Sequence, residues 1–417
     1  MGSYSTLLFD NLEVCSAKSA VPDEFCALFQ EDDRLRKTTD DDYIEIEYQA
    51  PREVMLARLS LLGCTEATTV ERFARWVEAQ RTLYADYQRE GEDWANDTAA
   101  ALQEFSWEVW RRRAPNVLLT RYEQDRPEPH DEIDRNLRSD YDSWLWFDGY
   151  GSLISIRALL DACPDVKVVR LNITDLVHGG YVGEDEAVCA TFRGPNIVSP
   201  LAPVMVLAEG TSDITVLQRS LEILFPERRD YFSFFDHKEL SVDGGASYVV
   251  KFLKAFAAAR APLRLVAVFD NDTAGTQAFR QAVALNLPPN MIVLQLPSIE
   301  IARAYPTVGP QGRHDVDVNG QAASIEMYLG RTALSRNGQL RPVRWTGYVQ
   351  GALSYQGEID GKAEVQAVFL NAVKSIANPA DAIAAFPELV EVWSAIFRAV
   401  ERSTGEVQRQ MPSLSDV

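Results

Sequence analysis

The sequence predicts an α/β fold, in which a mostly parallel sheet is flanked by helices. A mainly helical α+β part precedes this sheet, and a helical C-terminal extension follows it. Short apolar runs that alternate with helical spacing support the central prediction. Two such runs, Val204 to Ala208 and Leu263 to Phe269, each end in an acidic cluster. Because ligands bind at the carboxyl ends of parallel strands, both clusters lie where a functional site is expected.

The central elements follow one another at the spacing of βα units. Each strand candidate is a short run of apolar or aromatic residues, and each helix candidate repeats its apolar residues every three or four positions. The candidates in chain order are a strand at Val204 to Ala208, a helix at Ile214 to Leu224, a strand at Tyr231 to Phe235, a helix at Tyr248 to Ala259, a strand at Leu263 to Phe269 and a strand at Met291 to Leu296.

The acidic clusters favour metal-assisted chemistry. Glu209, Asp213, Asp270 and Asp272 cannot all remain ionised in one cleft without a counter-charge. Ligand sets made only of oxygen favour Mg²⁺ or Mn²⁺ over Zn²⁺. Such ions polarise phosphoryl oxygens, and a pair of them stabilises both the attacking and the leaving oxygen. The alternative interpretation is that these acids are ordinary helix caps and solvated loop residues.

The two motifs, E-G-x-x-D and D-x-D-x-x-G, each follow a strand and lie about sixty residues apart. In this order they resemble a TOPRIM domain, the topoisomerase–primase fold that OLD-family nucleases and small ribonucleases also use. The resemblance implies that Glu209, Asp270 and Asp272 hold a metal ion and that Asp213 matches an acid of the nuclease branch. Ser324-Ile325-Glu326 resembles a later, helix-borne acid of that branch, which makes Glu326 a candidate ligand for a second ion.

Length and composition indicate a folded protein of two or three domains. The chain has 417 residues, of which 46% are hydrophobic and 10% aromatic, and these values argue against disorder. No apolar run reaches the roughly 18 residues of a membrane span, and no secretory segment is recognisable. The five cysteines are scattered without a C-x-x-C pair, so neither a zinc knuckle nor a disulfide framework is indicated. We therefore expect a cytoplasmic protein without a membrane partner.

The net charge of −20 restricts how a nucleic acid could bind, because such binders usually present a basic face. Binding would have to use local patches, metal ions or a partner subunit. One candidate patch lies in a stretch without any acid, Thr332 to Gly357, directly after Glu326. The alternative for any arginine cluster is a solvated face. The candidate nucleic-acid-binding residues are Arg331, Arg336, Arg341 and Arg344.

The N-terminal half, residues 1–198, is expected to form a separate domain that ends in a Pro- and Gly-containing linker, Arg193 to Pro203. Alternating residues around Asp10-Asn11 predict an initial β-hairpin. The residues from Trp144 to Phe147 are expected in the core, and Arg121 to Asp142 is expected to be a loop. The helix candidates are Glu24 to Leu35, Pro51 to Leu62, a helix capped by Thr68 or Thr69 that reaches Tyr87, Trp94 to Trp110 and Leu153 to Leu160, and Val166 to Leu171 is a strand candidate.

This half resembles the N-terminal domain of bacterial HEPN/Toprim proteins. The resemblance is carried by Met1-Gly2-Ser3-Tyr4, by Phe29-Gln30-Glu31-Asp32-Asp33 and by Leu176-Val177-His178-Gly179-Gly180-Tyr181. Catalytic HEPN ribonucleases have four to six residues between an arginine and a histidine. Arg126 and His130 are separated by three residues, and Arg170 and His178 by seven. The sequence therefore supports no HEPN active site, and we expect this half to bind, position or dimerise.

The domains are accordingly predicted at 1–198 for the HEPN/Toprim-type part, 199–330 for the TOPRIM part and 331–417 for the C-terminal extension. OLD-family nucleases place a lysine after the TOPRIM core, where its charge can stabilise a transition state. Lys362 in Gly361-Lys362-Ala363-Glu364 is the matching candidate. A surface lysine that opens a helix is the alternative. Helices are expected at Lys362 to Ala372 and at Leu389 to Val400.

Together these features predict a nuclease that depends on Mg²⁺ or Mn²⁺ and hydrolyses phosphodiester bonds in DNA or RNA. The resemblance further implies a role in bacterial defence against phage, as a homodimer or with a partner subunit. A topoisomerase or primase would share the acidic site. A TOPRIM scaffold that binds nucleic acid or a partner without cleavage is the non-enzymatic alternative.

Overall fold

The computed structural model describes residues 2–38, 43–121, 128–139, 143–189, 201–235, 244–309 and 312–410. These residues form a mixed α/β protein with a parallel sheet and many helices. They divide into two compact units, the first made of Met1–Ile197 with Thr404–Val417 and the second of Val198–Ser403. The domain boundaries predicted at 198 and 330 stay predictions, and the expected linker lies outside the described residues as far as position 200. In the part of the chain that the structure describes, every helix is too short or too polar to traverse a bilayer.

The first unit contains a five-stranded antiparallel sheet with the order β2-β1-β5-β4-β3. The predicted hairpin is confirmed, since β1 pairs with β2. Its turn residue Asp10 has a φ of 52°, a conformation that Asp tolerates better than most residues, and its carboxylate accepts a hydrogen bond from the Val168 N–H at 2.9 Å. The strands are β1 (Tyr4–Phe9), β2 (Leu12–Lys18), β3 (Arg34–Thr38), β4 (Ile44–Pro51) and β5 (Val168–Asn172).

Helices make up most of the rest of the first unit. The predicted helices at 51–62 and 153–160 are confirmed within a few residues, and the strand predicted at 166–171 is β5. The helices described in the first unit include α1 (Asp23–Leu28), α2 (Arg52–Leu61), α3 (Glu66–Arg89), α4 (Asn96–Glu104), α5 (Trp107–Leu119), α6 (Glu132–Leu137), α7 (Leu153–Ala162) and α8 (Thr174–His178).

Several predicted boundaries in this unit are wrong. The helix expected from Glu24 to Leu35 ends at Leu28, because the chain turns into β3, which pairs with β4. Thr65, rather than Thr68 or Thr69, caps α3, with its hydroxyl accepting from the Thr68 N–H at 3.1 Å.

The single helix expected from Trp94 to Trp110 is two helices, because Ser106 caps the start of α5 and breaks the pattern. The expected loop from Arg121 to Asp142 contains α6, and its positions 122–127 and 140–142 lie outside the described residues.

Aromatic side chains fill the core of the first unit. Phe73 contacts the rings of Trp110 and Phe147, with centroids 6.3 and 5.1 Å away. The predicted core position of Trp144 to Phe147 is confirmed, since all four residues are buried. The Trp110 indole N–H donates to the Trp144 carbonyl at 3.0 Å, which satisfies a buried polar group that would otherwise be costly.

The second unit is built around a four-stranded parallel sheet with the order β10-β8-β6-β7. The central strand β8 is buried along its whole length, as expected for a strand covered on both faces. All four strands were predicted from the apolar runs. They are β6 (Val204–Leu207), β7 (Phe232–Phe234), β8 (Leu265–Phe269) and β10 (Met291–Gln295).

Three helices connect these strands, namely α9 (Thr211–Leu224), α10 (Ala246–Ala258) and α11 (Thr273–Val283). Right-handed crossovers place α9 on one face of the sheet and α10 and α11 on the other. Val249 and Leu253 of α10 and Ala278 of α11 form one hydrophobic cluster with the sheet residues Leu207 and Phe269. The connections that leave β6 and β8 therefore run over opposite faces, which makes the gap between these strand ends a topological switch point.

A second sheet of this unit has the order β12-β11-β16-β17. The predicted helical C-terminal extension is mainly helical after residue 361, whereas residues 335–359 form strands that were not predicted. Two short pairs, β9 with β13 and β14 with β15, complete the strands. The strands are β9 (Asn271–Asp272), β11 (Tyr305–Gly309), β12 (Gly312–Val316), β13 (Ala322–Ala323), β14 (Ser335–Arg336), β15 (Gln339–Leu340), β16 (Val343–Val349) and β17 (Ser354–Ile359).

The chain closes with helices that include both predicted C-terminal ones. They are α12 (Gly330–Ala333), α13 (Lys362–Ser375), α14 (Pro379–Ala385) and α15 (Pro387–Gln410). Trp393 of α15 donates its indole N–H to the Ser220 hydroxyl of α9 at 2.9 Å. Phe369 of α13 and Phe386 stack edge to face, with centroids 5.0 Å apart. The Phe369–Phe386 contact helps to hold α13, which carries Lys362, within the second unit.

Candidate active site

The ends of β6 and β8 bring the first two acidic residues together. The two strands are hydrogen-bonded neighbours, with Leu207 opposite Ala267. Glu209 and Asp270 leave these strands on the same edge, and the Glu209 Oε1 accepts a hydrogen bond from the Asp270 N–H at 3.0 Å. Two acids that are 61 residues apart in the chain therefore meet at the switch point of the sheet.

Gly275 makes this approach possible. A Cβ at this position would lie 2.3 Å from the Asp270 carbonyl oxygen and 2.9 Å from the Glu209 Oε1. Both distances are shorter than van der Waals contact, so a side chain here would push the strand end and the carboxylate away. The close packing therefore explains why the last position of the D-x-D-x-x-G motif is a glycine.

Asp272 lies at the start of α11. Its Oδ1 accepts from the Gly275 N–H at 2.7 Å as the N-cap of the helix, and caps of this kind typically contribute about 1 kcal/mol. Its Oδ2 accepts from the Gln356 side-chain amide of β17 at 2.6 Å. The side chain is buried and held at both oxygens.

The pairing of β9 with β13 brings the segment that carries Glu326 to the same cavity. The Ile325 N–H donates to the Asp270 Oδ1 at 3.0 Å. The Ser324 hydroxyl and the Gln366 amide donate to Glu326, at 2.6 and 2.8 Å. Glu326 lies in a 3-10 helix, Ile325–Tyr328, and is buried.

Asp213 and Lys362 complete the site. Asp213 lies in the first turn of α9, where the helix dipole favours a negative charge, and its Oδ1 accepts from the Ser212 hydroxyl at 3.2 Å. The Lys362 Nζ lies 3.8 Å from the Glu326 Oε2. Five carboxylates and one ammonium line a cavity of about 420 Å³, whose lining is Glu209, Gly210, Ser212, Asp213, Asp270, Asp272, Glu326, Lys362, Ala363 and Gln366.

The crowded carboxylates resist ionisation. Burial, with the Asp272 and Asp213 charges adding to it, raises the pKa of Glu209 to about 7. Burial and the Glu326 charge raise the pKa of Asp213 to about 6. Burial, with the Asp213 and Glu209 charges adding to it, also raises the pKa of Asp270 well above its ordinary value. The site therefore lacks positive charge, and a cation in the cavity would relieve this deficit.

Lys362 supplies part of the missing positive charge. Burial lowers the pKa of its ammonium, but the Glu326 and Asp270 carboxylates outweigh this cost and raise the pKa. The same ammonium lowers the pKa of Glu209 and Asp213. Lys362 is thus electrostatically part of the cluster rather than an isolated surface lysine.

The donor set fits a hard divalent cation by its chemistry, since all candidate ligands are carboxylate oxygens. Among the described residues, however, no three His, Cys, Asp or Glu side chains have their ligand atoms arranged as a metal site. Protein hydrogen bonds occupy both oxygens of Asp272 and Glu326 and one oxygen each of Glu209 and Asp270. Coordination by Asp272 would require the Gln356 amide to move from its Oδ2.

The predicted arginine patch is only partly accessible. Arg341 is 6% exposed and pairs with Glu364 at 2.8 Å. Arg344 pairs with Asp360 at 2.8 Å, and Arg336 lies 3.9 Å from Glu364.

Acids from just beyond the acid-free stretch therefore neutralise much of its charge, and Arg341 is unavailable to a ligand in this structure. Arg331 is exposed in α12, and its role stays a prediction together with those of Arg336 and Arg344.

Several polar residues at the site were not predicted. Gln356 and Gln366 hold Asp272 and Glu326, but isolated glutamines in a strand and a helix carry no sequence signal. Ser324 was part of the motif that pointed to Glu326, but its hydrogen bond to that acid was not predicted. Ser212 adjoins Asp213, and a serine beside a candidate acid is a signal that could have been used.

In the first unit, His178 and Arg170 have different hydrogen-bond partners, and His130 is exposed. The His178 Nε2 lies 2.9 Å from the Ile44 carbonyl oxygen, and its ring stacks on Tyr43 with centroids 4.4 Å apart. Arg170 is paired with Glu47. His130 is exposed, and Arg126 lies outside the described residues.

The N-terminal half of the chain is similar to a known protein family. Residues 1–193 match the family described as HEPN/Toprim N-terminal domain 1, which supports the predicted resemblance of the N-terminal half to HEPN/Toprim-associated proteins. Neither the curated proteins nor the solved structures contain a match to this chain. The acidic site, which lies after residue 193, is therefore interpreted from its own geometry.

Proposed function

We propose that this protein is a divalent-metal-dependent nuclease with a TOPRIM-type catalytic domain that hydrolyses phosphodiester bonds in DNA or RNA. The observation that carries the proposal is the Glu209–Asp270 contact at 3.0 Å at the switch point of a parallel sheet. Asp272 caps the adjoining helix, so the acids of both motifs line one cavity. Residues 1–193 match the HEPN/Toprim N-terminal domain 1 family, which agrees with a nucleic-acid-related role.

The residues would act in distinct ways. Glu209, Asp270 and Asp272 would hold one Mg²⁺ or Mn²⁺ ion, and Asp213 and Glu326 would hold or orient a second. When bound, such ions polarise phosphoryl oxygens and acidify water. Lys362, at 3.8 Å from Glu326, would compensate negative charge that develops on the phosphate. Because the pKa of Glu209 is about 7, ligation would require it to lose a proton near neutral pH.

Plasmid, linear DNA, single-stranded DNA and tRNA, each with Mg²⁺ or Mn²⁺, would test the activity. We expect the wild type to cut at least one substrate, and Glu209→Gln or Asp272→Asn to lose roughly 100-fold or more of the rate, since each removes a ligand charge worth several kcal/mol. Glu300→Gln is the matched control, because the Glu300 side chain is 84% exposed and does not line the acidic cavity. Equal cleavage by all four proteins would indicate contamination, and no cleavage by the wild type would refute the proposal.

A non-catalytic scaffold is the second candidate. The hydrogen bonds that occupy both oxygens of Asp272 and Glu326 favour it, because a resting metal site normally has free ligand oxygens. This alternative predicts nucleic-acid or partner binding that is independent of Mg²⁺ and unchanged by Asp270→Ala. In either case we propose a cytoplasmic protein of bacterial phage defence that acts as a homodimer or with a partner subunit, by analogy with its family.

A further inference from the structure

Two tyrosines on one hairpin of the second unit are exposed to solvent. Tyr348 of β16 and Tyr355 of β17 face each other across the hairpin, with ring centroids 5.1 Å apart. They are 53% and 55% exposed, which places them among the most exposed aromatic residues that the structure describes. The Trp345 ring lies 6.2 Å from Tyr355 and extends the aromatic surface. Leu353 at the hairpin tip is even more exposed.

Hydrogen bonds attach the hairpin to the start of α11, where Asp272 lies. The Tyr355 carbonyl accepts from the Thr273 hydroxyl at 2.6 Å. The next residue, Gln356, donates to the Asp272 Oδ2 at 2.6 Å and accepts from the Ala274 N–H at 3.0 Å. The exposed rings are therefore held at a defined position relative to the acidic cavity.

An open cavity of about 520 Å³ lies between the hairpin and α11. Hydroxyl, amide and guanidinium groups line it, among them Thr276, Gln277, Arg280 and Asn319. Its described lining contains no carboxylate, although the chain as a whole carries a charge of −20. Thr273 and Ser354 belong to its wall, and Thr273 directly follows Asp272. This cavity thus combines neutral hydrogen-bonding groups and one cation next to the acidic one.

We propose that the hairpin and this cavity bind an unpaired segment of nucleic acid beside the phosphate to be cleaved. Bases would stack on Tyr348 and Tyr355, and the sugar–phosphate backbone would follow the cavity towards Arg280. This inference rests on the proposed function, because it assigns a substrate class, single-stranded or locally unpaired nucleic acid, to the same site.

Two physical arguments favour an unpaired strand. Base faces are hidden within a duplex, so aromatic stacking selects bases that are free to leave their neighbours. A chain with a charge of −20 gains little from general attraction to phosphates, which is the main source of affinity for duplexes. Stacking depends weakly on net charge, so it can supply the affinity that the electrostatics cannot. The neutral amides of Gln277 and Asn319 are suited to base edges and sugars rather than to metal ions.

Fluorescence anisotropy in EDTA, with labelled single-stranded DNA, single-stranded RNA and duplex DNA of equal length, would test the proposal without cleavage. The full chain is compared with Tyr348→Ala/Tyr355→Ala, Tyr348→Phe/Tyr355→Phe and Arg280→Ala. Tyr181→Ala is the matched control, since Tyr181 is also exposed but belongs to the first unit. Circular dichroism and Tm establish that each variant is folded.

We expect tighter binding of single strands than of the duplex. The double alanine variant should lose about tenfold or more of single-strand affinity, because each lost stacked base is worth about fivefold or more. The double phenylalanine variant should stay within about twofold of wild type, as it keeps both rings. Comparison of the DNA and RNA arms distinguishes the two sources of the same chemistry.

Unchanged single-strand binding by the double alanine variant, or equal binding of duplex and single strands by the wild type, would overturn the inference. If the rings instead dock another protein, the alanine variant binds nucleic acid like wild type, which is the same overturning result. Because binding is measured without metal, loss of stacking affinity would support this inference even if no cleavage occurs. Conversely, Asp272→Asn could abolish cleavage while the double alanine variant binds single strands like wild type. That result would support the proposed nuclease function and overturn the stacking inference.

Discussion

Glu209→Gln is expected to stabilise the folded protein at pH 8 in the absence of divalent ions. The pKa of Glu209 is about 7 in the folded state against an ordinary value of 4.5, a difference that corresponds to about 3 kcal/mol. The folded state holds this proton more tightly than the unfolded state. Between pH 4.5 and 7 the unfolded chain therefore ionises first, and stability falls as the pH rises. Above pH 7 the folded state bears the whole free-energy cost of an ionised Glu209, and a neutral glutamine removes this cost.

Glutamine is a close match for the geometry, because its amide oxygen can still accept from the Asp270 N–H. In a unit of this size, about 3 kcal/mol corresponds to a Tm increase of about 6 to 12 °C. Differential scanning fluorimetry in EDTA at pH 8 should show this increase, and at pH 4.5 the two proteins should unfold at the same temperature. Glu300→Gln, which removes an exposed carboxylate, should leave the Tm unchanged at both pH values.

A Tm of Glu209→Gln at or below that of wild type at pH 8 would refute the reasoning. It would mean that Glu209 is either solvated or already neutralised by a neighbour. Titration with Mg²⁺ adds an independent arm, since a ligand that binds only the folded state raises its stability by mass action. Mg²⁺ should raise the Tm of the wild type more than that of the variant if the acids share one ion.

Two further substitutions test the rest of the site. Lys362→Ala should slow cleavage by roughly 10- to 1,000-fold. It should also move the pH–rate profile to higher pH, because the ammonium lowers the pKa of Glu209. Lys362→Arg should restore part of the rate, and an unshifted profile would show that Lys362 acts only as a surface residue. Gly275→Ala should lower the Tm by several degrees, because a Cβ 2.3 Å from the Asp270 carbonyl oxygen costs about 1–3 kcal/mol and outweighs the roughly 1 kcal/mol that alanine gains in a helix. A Tm equal to or above that of wild type would contradict this, and Ala274→Gly, which only loses helix propensity, is the control.

The parallel sheet was predictable because each of its strands is a short apolar run and each helix has an amphipathic repeat. These signals are local, and β6, β8 and β10 lie within a few residues of their predicted positions. The same local signals misled where pairing partners decided the structure. Arg34 and Leu35 end a segment with helical spacing, but hydrogen bonds to β4 make them part of strand β3. The sheet formed by β11, β12, β16 and β17 was missed for the same reason.

The sequence pointed to the acids that line the candidate cavity but not to the residues that hydrogen-bond them. Glu209, Asp270 and Asp272 stand out because each follows a strand end, where any parallel sheet directs its ligands. Gln356 lies 84 residues from Asp272 and yet donates to it, and Gln366 reaches Glu326 across 40 residues. Arg341 shows the opposite error, since an arginine in an acid-free stretch turned out to be buried against Glu364.

The order of the residues alone determined which segments become strands of the central sheet and which carboxylates end them, because hydrophobic periodicity and chain turns act over a few positions. Only the folded chain decided that Glu209 touches the backbone of Asp270, that Lys362 lies beside Glu326 and that Tyr348 and Tyr355 stay exposed. Those outcomes depend on contacts between distant segments and on the loss of water around buried charges. Neither the long-range contacts nor the desolvation of buried charges can be inferred from a short stretch of sequence.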